Sequence, residues 1–218
     1  MFEWNIKGRD YGDKPILGEI HQSLAKGENH SIIGPSGTGK TTLLNMLSGL
    51  DEQADTVEWL SRVPQIGYLF QQPRLLPWRT LRQNLLIVNP DLQQVDAMLD
   101  AVKLLEYADY FPTQISLGMA RRAALARCLL LEPELILMDE PLVSLDSPTA
   151  TEMRELIEKL VCQNPERCLI YVTHDLNEAL QMGDQVTVMG GSPSQIVFNA
   201  KTEQVSKNEL ESQLKALF

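Results

Sequence analysis

The sequence is short of positive charge, of patterned cysteines, of long apolar runs and of repeats. Nineteen Lys and Arg against twenty-nine Asp and Glu leave a net charge of −10. That balance argues against a sequence-independent grip on phosphate backbones, so no nucleic acid partner is expected. Cys128, Cys162 and Cys168 form no CxxC pair and have no companion histidines at metal-ligand spacing. They read as small buried thiols in a reducing compartment. The N-terminus, MFEWNIKGRDYGDKP, has no apolar core behind a basic flank, so no signal peptide is expected. No run approaches the roughly 18 consecutive apolar residues of a spanning helix. There is also no low-complexity tract and no linker rich in Gly or Ser, and the 218 residues read as one domain, 1–218.

What is present is a set of short apolar runs separated by helical patterns. HSII at 30–33, LILM at 135–138, CLIYV at 168–172 and QVTVM at 185–189 have the length of buried strands. Between them, Leu43, Leu44, Met46, Leu47 and Leu50 recur at helical spacing from Lys40 until about Gly49. The stretch from Leu92 to Leu131 is mostly helical by pattern, and another helix is expected from about Pro148 to Cys162. Buried strands alternating with helices imply an α/β fold with a mostly parallel core sheet.

The chemistry begins at GPSGTGKTT, Gly34 to Thr42, which follows the first strand and opens the first helix. The pattern GxxxxGK[ST] is a P-loop. Its glycines let backbone N–H groups turn inward around a β-phosphate, and the helix offers its positive end to the same anion. Gly34, Pro35, Ser36, Gly37, Thr38, Gly39, Lys40, Thr41 and Thr42 are therefore the expected nucleotide-binding loop. Lys40 adds a point charge for the β- and γ-phosphates, and the Thr41 hydroxyl is a ligand for Mg²⁺.

A P-loop by itself leaves kinases, GTPases and several ATPase classes open. LILMDE narrows the choice, because it sets Asp139 and Glu140 directly after a buried strand, at the carboxyl edge where such sheets bind ligands. Asp139 suits the Mg²⁺ shell. Glu140, one residue on, is placed to orient or polarise an attacking water. CLIYVT delivers His174 to the same edge, within reach of a γ-phosphate. Finally, ISLGMARRAALAR puts Ser116 and Gly118 at the head of a helix-forming run, where free N–H groups can hold a second face of a phosphate. Since the P-loop already holds one side, this helix serves best from another subunit.

In this order the elements resemble the nucleotide-binding subunit of ABC transporters, over nearly the whole chain. The resemblance implies a P-loop NTPase fold with a helical subdomain, about residues 72–131, that carries the signature motif. It assigns Tyr11 to stacking on adenine and Gln71, in YLFQQPRLLPW, to the Q-loop, where it serves both metal binding and catalysis. ISLGM matches the signature, VSLD the D-loop with Asp146, and VTHD the switch histidine. It further implies ATP and Mg²⁺ as cofactors, and two such subunits packed head to tail around two ATP molecules. Permease subunits would dock on the Q-loop surface, with a solute-binding protein in the complete system. The implied location is peripheral, on the cytoplasmic face of the inner (plasma) membrane of a bacterial-type cell.

Two departures stand out. The usual signature is LSGGQ or a close variant, whereas Ile115 replaces its Leu and Leu117 its first Gly. Leu117 restricts both the backbone and the close approach of a phosphate, so weaker binding from the second subunit is expected. The spacing from Lys40 to Gln71 is also short for the family, so a shortened antiparallel β arm is expected. Within the family, FQQPRLLPWRTLRQNL is similar to importers of the nitrate, sulfonate, taurine and thiamine-precursor group, whereas GMARRAALAR is similar to ATPases of bacterial lipid-trafficking systems. A soluble or regulatory ABC protein is the third reading. No C-terminal regulatory domain is expected after His174, and Leu210, Leu214 and Leu217 read as the buried face of a packing helix.

Overall fold

The computed structural model describes residues 1–53 and 57–217. Its centre is an eight-stranded sheet built from β2 (Arg9–Tyr11), β3 (Lys14–Leu17), β5 (Asn29–Ile33), β7 (Ile66–Leu69), β8 (Leu135–Asp139), β9 (Cys168–Val172), β10 (Gln185–Gly191) and β11 (Ser194–Lys201). The spatial order is β2-β3-β11-β10-β5-β9-β8-β7. The stretch β10-β5-β9-β8-β7 is parallel throughout, which is the expected core. Antiparallel pairing is confined to the β2–β3 hairpin and to β11 on β10.

Strands β5, β8 and β9 are buried at every position because both faces of the sheet are covered. Side chains alternate across β8 and β9: Leu135, Leu137, Cys168, Ile170 and Val172 face one core, and Ile136, Met138, Leu169 and Tyr171 face the other. The first core is closed by α1 (Lys40–Leu47) and by a three-stranded antiparallel sheet of β1 (Phe2–Ile6), β4 (Ile20–Leu24) and β6 (Val57–Trp59). There Trp4 pairs with Trp59 across the strands, with ring centroids 5.7 Å apart. This sheet is the antiparallel arm, and its third strand is only three residues long, in line with the short Lys40–Gln71 spacing. The helix expected to stop around Gly49 ends at Leu47; Gly49 is left-handed, and Leu50, whose spacing fits the apolar face, is exposed.

The second core is closed by α4 (Leu117–Leu129) and α5 (Ser147–Ile157), the latter running on as a π-helical turn to Cys162. Helix α4 is buried on two sides. Leu125, Cys128 and Leu129 meet the sheet, while Ala123 and Ala126 meet a helical cluster with α2 (Leu81–Leu85) and α3 (Leu92–Ala101). Leu210 on α7 (Lys207–Lys215) is fully buried beside Val186 and Val188, with Leu214 and Leu217 packed alongside. That is the packing helix the leucine spacing predicts.

The LLPW segment leads into α2, whose N-terminus is closed by a reciprocal Thr80–Gln83 capping box. Below it, Asn84 is fully buried. Its amide oxygen accepts from the Leu76 N–H at 2.7 Å, and its amide nitrogen donates to the carbonyls of Leu76, Arg79 and Thr80 at 3.2, 3.1 and 2.9 Å. Removing the carboxamide leaves the part-buried Leu76 N–H without its partner, which costs about 1 kcal/mol. Asn84→Ala is expected to lower unfolding stability in chemical denaturation by that amount. Faster proteolysis within residues 76–80 should accompany the change; an unchanged denaturation midpoint would contradict this role.

Candidate functional site

The parallel register of β5, β9 and β8 brings three strand ends to one edge of the sheet, in that order. Each end carries polar residues. After β5 the chain turns through the P-loop, with Gly37 and Gly39 left-handed at φ 82° and 80°. Gly34 is required for a different reason: a Cβ there would lie 2.5 Å from the Met189 carbonyl oxygen. The loop is thus a cradle that side chains would fill, which is what a polyphosphate group needs.

Lys40 is nearly buried, at 6% exposure. Its ammonium donates to the carbonyls of Gly34 at 2.8 Å and Pro35 at 3.0 Å, folding back over its own loop. Burial pulls its pKa below the usual lysine value, opposed by the carboxylates Glu140 and Asp139. Thr41 donates its hydroxyl to Asp139 Oδ2 at 2.9 Å, joining the loop to the end of β8. Burial raises the Asp139 carboxyl, and the Thr41 hydrogen bond pulls it back. Hydroxyl and carboxylate side by side at a phosphate loop are hard oxygen donors that fit Mg²⁺, which takes few protein ligands and completes its shell with phosphate and water. Among the described residues no cluster of three or more His, Cys, Asp or Glu exists that could hold a metal without such help.

Glu140 has a positive φ of 47°, a conformation that costs a non-glycine residue about 1–3 kcal/mol. Its N–H donates to the Val172 carbonyl at 2.9 Å, locking that geometry to β9. The carboxylate meets His174, with Nδ1 to Oε1 at 3.4 Å. His174 itself is held between Thr173, bonded to Glu178 at 2.7 Å, and Asp175, which caps α6 (Leu176–Met182). Lys40, Thr41, Asp139, Glu140 and His174 are therefore brought together as the sequence predicts.

Of the remaining predicted residues, Gln71 and Ser116 line a neighbouring groove of about 660 Å³, which Arg74, Leu117, Arg121 and Ser144 also border. Gln71 lies just past β7, exposed at the same sheet edge. Ser116 caps α4 by accepting from the Met119 N–H at 3.2 Å, and Leu117, 45% exposed, opens the helix. Gly118 is buried, and a Cβ on it would collide with the Thr149 methyl. Thr149 in turn is held by Asp146, the cap of α5, through its N–H at 3.1 Å and its hydroxyl at 2.8 Å. Signature helix and D-loop are thus one packed unit, a link the sequence does not announce. Arg121 and Arg122, part of the GMARRAALAR resemblance, serve internal roles: Arg121 bonds the Pro141 carbonyl at 2.9 Å and Arg122 the Val102 carbonyl at 3.3 Å.

Tyr11 stands apart on the β2–β3 hairpin, 51% exposed. The hairpin reaches the site through β3, whose Leu17 and Ile16 side chains lie 2.7 and 3.0 Å from where a Cβ on Gly39 would be. Sequence reasoning missed Arg9, whose guanidinium lies 3.9 Å from the Tyr11 ring centroid. Its position two residues before Tyr11 on the same strand was the available signal.

Outside the site, Trp78 is 70% exposed, so it is not a core residue; Leu75, by contrast, is partly buried against two core clusters. No helix among the described residues is long and apolar enough to cross a membrane.

Similarity to known proteins accords with this geometry. A match to the ABC transporter family spans residues 17–143. The aliphatic sulfonates import ATP-binding protein SsuB 1 of Pseudomonas aeruginosa (strain UCBPP-PA14) is 41% identical over 201 residues, covering 85% of this chain and 80% of the relative. SsuB 1 of Xanthomonas axonopodis pv. citri (strain 306) is 37% identical over 216 residues, covering 91% of this chain and 84% of the relative. Among solved structures, the ATP-binding cassette MJ0796 in a dimeric post-hydrolysis state bound to ADP and Pi gives a TM-score of 0.74 at 25% identity, covering 93% of this chain and 99% of that one. With a phosphate cradle, a hydroxyl–carboxylate pair and a Glu–His pair on one sheet edge, and relatives of this closeness over most of its length, the chain belongs to the ABC transporter family as an ATP-binding, ATP-hydrolysing subunit.

Proposed function

We propose that this subunit powers the import of aliphatic sulfonates, working as a homodimer beneath two membrane permease subunits supplied by a solute-binding protein. The observation that carries the reading is the convergence of Lys40, Thr41, Asp139, Glu140 and His174 on one sheet edge, in a chain 41% identical to a sulfonate import ATPase. Its location would then be peripheral, on the cytoplasmic face of the membrane.

Each residue has a distinct task. The P-loop N–H groups and Lys40 bind the β- and γ-phosphates; Lys40 exchanges its two carbonyl partners for phosphate oxygens, whose negative charge offsets the cost of its burial. Bound Mg²⁺ supplies charge neutralisation at the phosphates, and Thr41, Asp139 and Gln71 are the residues that would hold it. Glu140 orients and polarises the attacking water, while His174 fixes the Glu140 carboxylate and reaches the γ-phosphate. Tyr11 offers a ring face to adenine. Ser116 and Gly118 of one subunit close on the ATP of the other, and Asp146 lies at the same interface.

ATP held between subunits makes contacts that exist only in the closed dimer, so its binding favours closure by the difference in affinity between the two states. Hydrolysis removes that bias. The exposed Trp78 and the groove beside Gln71 and Arg74 present a surface of mixed apolar and basic character, suited to receiving a permease segment.

Glu140→Gln is expected to lower the rate of phosphate release by about 10²–10³-fold, while ATP affinity by equilibrium dialysis changes less than about threefold. A loss below about tenfold would remove Glu140 from the chemical step. For the transport reading, the tagged chain is expected to copurify with a permease from membranes, and Trp78→Ala to abolish that recovery without altering ATP affinity. ATPase activity of the reconstituted complex should rise when its binding protein carries an alkanesulfonate. Stimulation by another solute class with none by sulfonates would sink the substrate assignment.

A further inference from the structure

Around Tyr11 lies a cluster that nothing in the ATPase reading uses. Arg9 is only 4% exposed, and its Nε donates to Asp51 Oδ1 at 2.6 Å; the Asp51 side chain is equally buried. A second guanidinium nitrogen donates to the Asp10 carbonyl. Asp51 also accepts from the Gln53 N–H at 2.9 Å and, through Oδ2, from the Tyr11 hydroxyl at 3.3 Å. The guanidinium lies 3.9 Å from the Tyr11 ring centroid, covering one face. Tyr11 nevertheless keeps half of its surface open to solvent.

A buried ion pair is a poor source of stability, because desolvating both charges offsets most of their attraction. Its presence directly beneath an exposed aromatic ring asks for another explanation. The positions of the partners supply one. Asp51 follows the C-terminal end of α1, the helix whose other end begins at Lys40, while Arg9 and Tyr11 belong to the hairpin that packs on Gly39. The pair therefore ties the ring to the same helix that presents the phosphate loop.

We infer that Arg9, locked by Asp51, is a positioning residue for nucleotide binding: it backs the Tyr11 ring and fixes its plane, leaving the opposite face as a base-stacking platform set in register with the P-loop. The inference rests on the reading of Tyr11 as the adenine platform. Two physical effects follow. The ring loses little freedom when a base arrives, because its hydroxyl and one face are already held. The cation on the covered face also draws π-density away from the open one, which lowers the repulsion a stacked, electron-rich purine meets.

The test is isothermal titration of the full-length protein with ATP and, separately, with inorganic tripolyphosphate, which keeps the phosphates and lacks the base. Four forms are compared: wild type, Tyr11→Ala, Arg9→Met, and the double variant Arg9→Met/Asp51→Asn. The last removes both buried charges together, so that a folding defect from an unpaired Asp51 is separated from the loss of the ring support. Expected is a loss of about tenfold in ATP affinity for Arg9→Met and for the double variant, with tripolyphosphate affinity unchanged. If Tyr11→Ala shows the base-specific loss and the two Arg9 variants do not, the role of Arg9 is overturned while the platform reading stands. If the Arg9 variants weaken both ligands equally, Arg9 is merely structural and the inference fails. If Tyr11→Ala itself leaves the ratio of the two affinities unmoved, the platform reading fails and takes the inference with it.

Discussion

The register of three parallel strands is the constraint on which the rest depends. Because β5 pairs with β9 and β9 with β8, their carboxyl ends finish at one level, and whatever follows each strand shares one edge. Thr41 reaches from the first of these to Asp139 on the third with a single 2.9 Å hydrogen bond, and Glu140 takes its backbone geometry from Val172 on the middle one. A slip of one residue in either pairing would turn Asp139 and Glu140 to opposite faces and separate hydroxyl from carboxylate. The two cores on the faces of β8 and β9 prevent that slip, since Leu135 and Leu137 belong to one and Ile136 and Met138 to the other.

Strain and burial are concentrated at this edge. The left-handed non-glycine residues include Glu140, Arg74 and Ser144, the first paired with His174 and the other two on the adjoining groove. Lys40 and Asp139 are both buried charges whose pKa values burial shifts toward the neutral form. Such groups are costly in a resting protein and suit a highly charged ligand, because a phosphate would supply the partner that Lys40 otherwise finds in its own loop carbonyls.

Much of this was legible in the sequence where short-range pattern coincides with function. The P-loop, the Asp139–Glu140 pair after a buried strand and His174 after another are local signals, and the parallel sheet follows from apolar runs of strand length. What escaped depends on contacts between distant segments. Asp51 meets Arg9 across the loop, helix and strands that separate them, and no period in the chain announces the pairing. Thr149 fills the space that Gly118 leaves, so that glycine answers to a neighbouring helix. The β2–β3 hairpin, β11 and α2 are short or rich in polar residues, and only tertiary pairing defines them. Leu50 was misread as part of a helical face because its spacing fits, although the left-handed Gly49 ends the helix before it.

Leu117 decides whether one subunit can close on the ATP of another. It stands at the first turn of α4, 45% exposed, where the other subunit's phosphate would approach. Light scattering of Glu140→Gln with Mg-ATP measures the consequence directly, because slowed hydrolysis holds the closed state. A particle of about twice the 24.5 kDa chain mass is expected with Leu117 in place. A monomer under those conditions, with dimers only when Leu117→Gly is added, would contradict the claim that this chain closes on ATP through its own signature helix.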